Sequence, residues 1–182
     1  MRSEGDITPV GKIISEKYAF NHPFFQVVER VVQSPDGEVR EPQLLWDRGS
    51  RRFAIAYVVT SEGQVVVVRE PKYGQMDLFH SLPAGGVRKD EEPLSAAKRE
   101  TLEETGYECE KWFSVPGEPL VDFADKIDGG EHYVFLGLNA RQIQKPEENN
   151  RVVVLMEPRD LRKNLRIAIS LAAASRVQDY LP

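Results

Sequence analysis

Three glutamates, Glu100, Glu103 and Glu104, stand at i, i+3 and i+4. At about 100° per residue this spacing gathers them on one face of a helix. Like charges so placed repel, at roughly a few tenths of a kcal/mol per i,i+4 pair. A hard divalent cation removes that cost. Mg2+ takes oxygen ligands, keeps several waters and is often completed by a phosphate oxygen. A metal held this way polarises a phosphoryl oxygen, lowers the pKa of bound water and clamps a diphosphate. Taken alone, the three glutamates also read as an ordinary solvated helix face. Arg99 and Glu103 would then be a surface pair contributing about 0–1 kcal/mol.

The helix that must carry these side chains runs from Pro93 to Thr105. Proline suits a first helical turn, and Gly106 suits the position just past the end. Leu94, Ala97, Thr101 and Leu102 share a second face that can bury against a sheet. The sheet is supplied by apolar, β-branched runs at Phe53–Thr60 and Gln64–Arg69, joined by the turn Ser61-Glu62-Gly63. Later runs stand at His132–Leu138 and Arg151–Met156. Upstream, Lys12–Tyr18, Phe24–Gln33 and Gln43–Asp47 read as strands, with a turn at Ser34-Pro35-Asp36-Gly37 where proline fixes φ and Asp and Gly tolerate turn geometry. Residues Asn139–Asn150 read as a polar loop, and Arg159–Tyr180 as helix broken near Asn164. Interleaved strands and helices give an α/β (α+β) class with a mixed sheet and an N-terminal antiparallel strand region.

A length of 182 residues suits a single domain. A net charge of -5 argues against a protein that grips nucleic-acid backbone. A small anionic substrate stays compatible, because a metal supplies local positive charge. Cys109 is the only cysteine, which excludes an internal disulfide and a structural cysteine-zinc site. Residues Met1–Pro9 hold no apolar signal core, and no apolar run approaches a membrane span. The expectation is a cytoplasmic protein that binds neither nucleic acid nor membrane.

The full spacing around the glutamates is more specific. Gly85 is followed after five residues by Glu91, and after seven more by Arg99-Glu100-Thr101; one residue on stand Glu103-Glu104, and one further Gly106-Tyr107. This 23-residue pattern resembles the Nudix box, the signature of the Nudix hydrolase family, with weaker similarity over most of the chain. Thr101 departs from it, standing where the family usually has a bulkier aliphatic residue. The stretch Val68-Arg69-Glu70-Pro71-Lys72-Tyr73-Gly74, then Leu82-Pro83-Ala84-Gly85, is similar to the branch that cleaves ADP-ribose and nucleoside diphosphate sugars.

The resemblance implies a loop–helix–loop on an α/β/α sandwich. It implies Glu100 and Glu104 as main metal ligands, joined by Glu103 and the main-chain carbonyl of Ala84. The ion would be Mg2+, with Mn2+ as the alternative. Glu91 and Arg99 would form a structural ion pair, Arg99 thereby supporting catalysis. Lys72 stands where the branch often has an arginine facing substrate phosphate, and Arg69 is its neighbour. Lysine keeps the charge and loses the bidentate geometry; the alternative for Lys72 is a solvated side chain. The general base would come from the acidic loop before the late strand, first Glu148, then Glu147, with a glutamate of the box as substitute. That loop also reads as a solvated segment. Phe24, Phe25, Trp46 and Tyr73 could stack on a base, although such aromatics are more often packing. His132 reads as a strand-edge residue. The N-terminal strands, about residues 10–50, would build a homodimer. Asp128 precedes Gly129-Gly130, where ADP-ribose specialists tend to carry proline, so a broader nucleoside diphosphate sugar range is expected. Rival activities are cleavage of RNA 5′ ends, coenzyme A or nucleoside triphosphates; a rival of another kind is a nucleotide sensor without turnover.

Overall fold

The computed structural model describes residues 11–22, 25–39, 43–47, 52–122, 130–147 and 150–180, with backbone alone at Phe25 and residues 43–47. The chain falls into two units.

The first unit holds an antiparallel sheet in the order β1 (Lys12–His22), β2 (Phe25–Gln33), β3 (Gln43–Asp47). β1 runs four residues past the expected Tyr18 because its pairing with β2 absorbs two register shifts and continues to His22↔Phe25. The turn after β2 is the expected one. Gly37 takes φ 90° and its N–H donates to Ser34 O at 2.9 Å, a left-handed conformation that glycine adopts without a Cβ penalty. Lys17–Glu29 and Arg30–Glu16 pair across the strands at 2.7 and 2.8 Å.

The second unit is built on a mixed sheet with the core order β11-β5-β4-β10-β8. Its strands are β4 (Arg52–Thr60), β5 (Val65–Lys72), β6 (Asp77–Ser81), β7 (Ala84–Gly86), β8 (Tyr107–Ser114), β9 (Leu120–Val121), β10 (Glu131–Gln142) and β11 (Val152–Met156). β4 and β10 pair in parallel, the other strand pairs are antiparallel, and an isolated parallel bridge joins His80 to Leu165. Successive strand residues point to opposite faces. Ile55, Tyr57, Val65 and Val67 therefore line one face, where they pack with Leu161, Leu165, Ala173 and Val177. Ala54, Ala56, Val58 and Val66 line the other, against Ala96 and Ala97 of α1 (Pro93–Thr105). Helices cover both faces, which makes this unit an α/β/α sandwich. β4 and β5 read as unbroken apolar runs because both their faces are buried.

The differences from the sequence reading are local. β6 to β9 are short or edge strands whose mixed residues carry no alternation. β10 overruns the expected loop start at Asn139. That residue takes φ 53° at a register shift, and pairing resumes at Ala140; Asn is among the side chains that tolerate this conformation. The C-terminal region divides into a 3-10 turn at Pro158–Asp160, α2 (Leu161–Asn164) and α3 (Ala168–Gln178). The break follows Asn164, where Leu165 turns extended and buries its side chain. No helix among the described residues is long and apolar enough to cross a membrane.

Candidate active site

α1 begins at Pro93 and stops at Gly106, whose φ of 73° turns the chain while its N–H donates to Leu102 O at 2.8 Å. Ala97, Thr101 and Thr105 are buried toward the sheet. Thr101 is accommodated there because its hydroxyl donates to Ala97 O at 2.7 Å, so no polar group is stranded. This seating turns Glu100 and Glu104 toward β7, with Glu104 also reaching Arg151 just before β11, while Glu103 faces Arg88 and Arg99.

Each glutamate is held by a guanidinium. Arg99 Nη1 meets Glu100 Oε1 at 2.5 Å and Glu103 Oε2 at 3.1 Å, and Arg88 approaches Glu103 at 3.6 Å. Arg151 pairs with Glu104. Among the described residues no three His, Cys, Asp or Glu side chains converge into a ready metal cage. Repulsion on this face, which from sequence called for a cation, is relieved by arginines from α1, from the loop before it and from the chain entering β11.

Arg99 is the hub. It binds Glu91 through two bonds, Nε to Oε1 at 2.9 Å and Nη2 to Oε2 at 3.0 Å, and Nη2 also donates to Gly86 O at 3.0 Å. The Arg99 bonds, aided by the Arg88 N–H, hold the Glu91 carboxyl down at about 2. Glu91, first of all, pushes the Arg99 pKa upward. The pair ties the loop before α1 to the helix and to β7.

The carboxylates of Glu104 and Glu100 both reach the backbone of β7. Glu104 is only 4% exposed, and its Oε2 accepts from the Ala84 N–H at 3.1 Å. Glu100 presses its carboxylate on the backbone at Gly85, where a Cβ would come closer than 3.0 Å. The absence of a side chain at Gly85 is what lets that carboxylate reach β7. Glutamate and main-chain oxygens form an all-oxygen set, the chemistry that Mg2+ prefers.

Lys72, at the end of β5, points into an ion pair. Its Nζ lies 2.6 Å from Glu70 Oε1, which also accepts from Ser81 Oγ at 2.7 Å. Burial works to raise the Glu70 pKa, but Lys72, Ser81 and Arg151 outweigh it and hold the carboxyl below its ordinary range. Arg69 is exposed on the other face of β5, opposite His80 of β6. Burial and the Arg69 charge together lower the His80 pKa.

The loop after β10 is tied to α1, since the Glu147 N–H donates to Glu103 O at 2.9 Å. The Glu147 side chain is exposed, with Gln144 at 3.4 Å. Glu148 lies outside the described residues. Phe25 and Trp46 belong to β2 and β3 of the first unit, and their side chains, like Phe24, lie outside the described residues. Tyr73 is exposed at 72%. His132 is buried in β10, stacked on Phe53 at 4.9 Å and 3.4 Å from Asp122.

Sequence reasoning missed Glu70, Ser81, Arg88 and Arg151. Ladder register is the signal that finds two of them: Val152 pairs with Arg69, which puts Arg151 beside Glu70, and Val68 pairs with Ser81.

Comparison with known proteins adds three findings. The NUDIX domain family model matches residues 49–173. The chain is 30% identical over 160 residues to a methanol dehydrogenase activator of Bacillus methanolicus, covering 81% of this chain and 80% of that protein. It is 26% identical over 176 residues to an ADP-ribose pyrophosphatase of Bacillus subtilis (strain 168), covering 92% and 86%. The fold matches a crystal structure of an ADP compounds hydrolase with a TM-score of 0.83, over 97% of this chain and 96% of that one, at 15% identity.

Proposed function

The chain belongs to the Nudix hydrolase family, and from that premise we propose that it cleaves the diphosphate bond of nucleoside diphosphate sugars of the ADP-ribose or GDP-mannose type. Water attacks one phosphorus, the bridging P–O bond breaks, and a nucleoside monophosphate and a sugar phosphate leave. The relative named an ADP-ribose pyrophosphatase supports the substrate class. The observation that carries the reading is the seating of Glu100 against Gly85 and of Glu104 against the Ala84 N–H, which brings carboxylate oxygens to the main chain of β7.

Nudix hydrolases use divalent metal ions; Mg2+ is the ion proposed, with Mn2+ as substitute. Glu100, Glu104 and the Ala84 carbonyl would hold it, with Glu103 joining. When bound, the ion supplies electrostatic stabilisation of the diphosphate and acidifies bound water. Lys72 supplies positive charge for the phosphates, while Arg69 lies on the opposite face of β5. Glu148, or else Glu147, accepts the proton of the attacking water, within hydrogen-bond reach in the complex with substrate. The bond from Glu147 N–H to Glu103 O supports that assignment, because it ties the base-bearing loop to the metal-bearing helix. Glu91 and Arg99 hold the helix in position.

The 182 residues are read as one Nudix domain whose N-terminal strands join a second copy. β1 is exposed along its whole length, with Ile13, Ile14, Tyr18 and Phe20 open to solvent, which supports this. The cytoplasm is the proposed location. A second reading rests on the relative named a methanol dehydrogenase activator: this chain would raise the activity of a partner dehydrogenase, seen as a rate increase when the two are mixed.

The test is to incubate pure protein with Mg2+ and ADP-ribose or GDP-mannose and identify the products. AMP or GMP with the matching sugar phosphate is expected. A Glu104→Gln variant with full activity would remove the metal assignment.

A further inference from the structure

Glu104 has both carboxylate oxygens engaged. Oε2 accepts from the Ala84 N–H at 3.1 Å, and Oε1 is taken by Arg151 Nη1. Arg151 is itself shared, since its Nε lies 3.3 Å from Glu70 Oε2. The other oxygen of Glu70 belongs to Lys72 and Ser81. A chain of alternating charge therefore runs Lys72–Glu70–Arg151–Glu104. Its last three members are largely shielded, with side-chain exposures of 10% at Glu70, 17% at Arg151 and 5% at Glu104. The β5–β11 register fixes Arg151 beside Glu70, so the guanidinium is delivered to Glu104 by the sheet.

We infer that Arg151 is a tethered counter-cation of the metal site: it neutralises Glu104 while no metal is bound and must yield Oε1 for Glu104 to act as a ligand, with Glu70 as the place it yields to. The inference rests on the reading of Glu104 as a ligand. It assigns Arg151 and Glu70 as positioning residues that set metal affinity. Removing one partner of a shielded pair leaves the other charge uncompensated, so a divalent ion gains most where the tethered cation is lost.

Direct binding of Mn2+, followed by electron paramagnetic resonance and calorimetry without substrate, tests this separately from activity. Arg151→Met is expected to bind Mn2+ about tenfold more tightly than wild type, the scale of a charge-assisted hydrogen bond no longer broken. Arg151→Lys, which keeps the charge but cannot fork between two carboxylates, falls between the two. Glu70→Gln, which leaves Arg151 to Glu104 alone, binds more weakly than wild type. The Arg151→Met gain persists at about 0.5 M salt, whereas a mere change in long-range field is screened away. Equal or weaker binding by Arg151→Met, or a gain that vanishes in salt, overturns the proposal while leaving the metal site standing. Wild type that binds no Mn2+ overturns both. If Arg151→Met does not fold, the Arg151→Lys and Glu70→Gln shifts decide, and identical affinities in these two and wild type overturn it.

Discussion

Replacing Gly85 by alanine separates the site from the stability of the fold. The new Cβ would stand closer than 3.0 Å to the Glu100 carboxylate, where ordinary contact begins at 3.4 Å. The backbone at Gly85 is not left-handed, and the neighbour is the far end of a flexible side chain. The carboxylate can therefore withdraw, at a stability cost expected below about 1 kcal/mol, as for most substitutions without a core or backbone mechanism. The withdrawal is on the order of 1 Å, and a misplacement of that size costs about 100-fold in rate. Glu100 must also leave its 2.5 Å contact with Arg99 or drag that side chain along. The assay pairs thermal unfolding with steady-state hydrolysis of ADP-ribose in Mg2+. A small change in Tm with a loss of about 100-fold in kcat/KM is expected. Gly85→Ala with wild-type turnover would refute the seating of Glu100 as the basis of the site.

Gly106→Ala should behave in the opposite way: a φ of 73° and a Cβ that would strike the main chain of Gln144 predict a loss of about 2–4 kcal/mol from a left-handed penalty plus a clash, read by denaturant titration. The Glu91–Arg99 pair makes stability depend on pH. The Glu91 pKa is lowered to about 2 in the fold, so its contribution is present above the ordinary carboxylate value and is lost as pH falls toward 2; Glu91→Gln should flatten the decline of Tm across that window. Leu82→Ala, at a position 1% exposed in the core face of α2 and α3, should cost about 2–5 kcal/mol, measured by urea unfolding. Tyr18→Asp with Phe20→Asp should shift the molar mass from dimer to monomer in light scattering, and a wild type that is already monomeric would remove the second copy from the reading.

What was legible in the sequence was local. α1 was readable to the residue because proline and glycine mark its two ends by backbone chemistry alone. Gln43–Asp47 was readable as a continuation of the strand pairing before it, and the cores of β4, β5 and β11 from their apolar, β-branched-rich runs. β6 and β7 were not, because Asp77–Ser81 and Ala84–Gly86 are short and owe their extension to partners on β5 and β4. The spacing of the glutamates was legible, but their partners were only partly so. Arg99 lies within the motif and could be paired with Glu91 by pattern. Arg151 reaches Glu104 only through the β5–β11 register, and nothing near Arg151 in sequence points there. Lys72 illustrates the same limit: its charge was visible, while its bond to Glu70 depends on two side chains sharing one face of a strand.

The single parallel pair among the described strands has a kinetic consequence. β4 and β10 are separated in sequence by β5 to β9 and the whole of α1. Joining Phe53 to His132 closes a long loop, whose entropy must be lost before the contact returns anything. The hairpin of β4 and β5 and the helix can form earlier from nearby residues. The acidic face of α1 would then exist before the strand that anchors its far side, so catalytic competence should be regained in refolding later than helical signal.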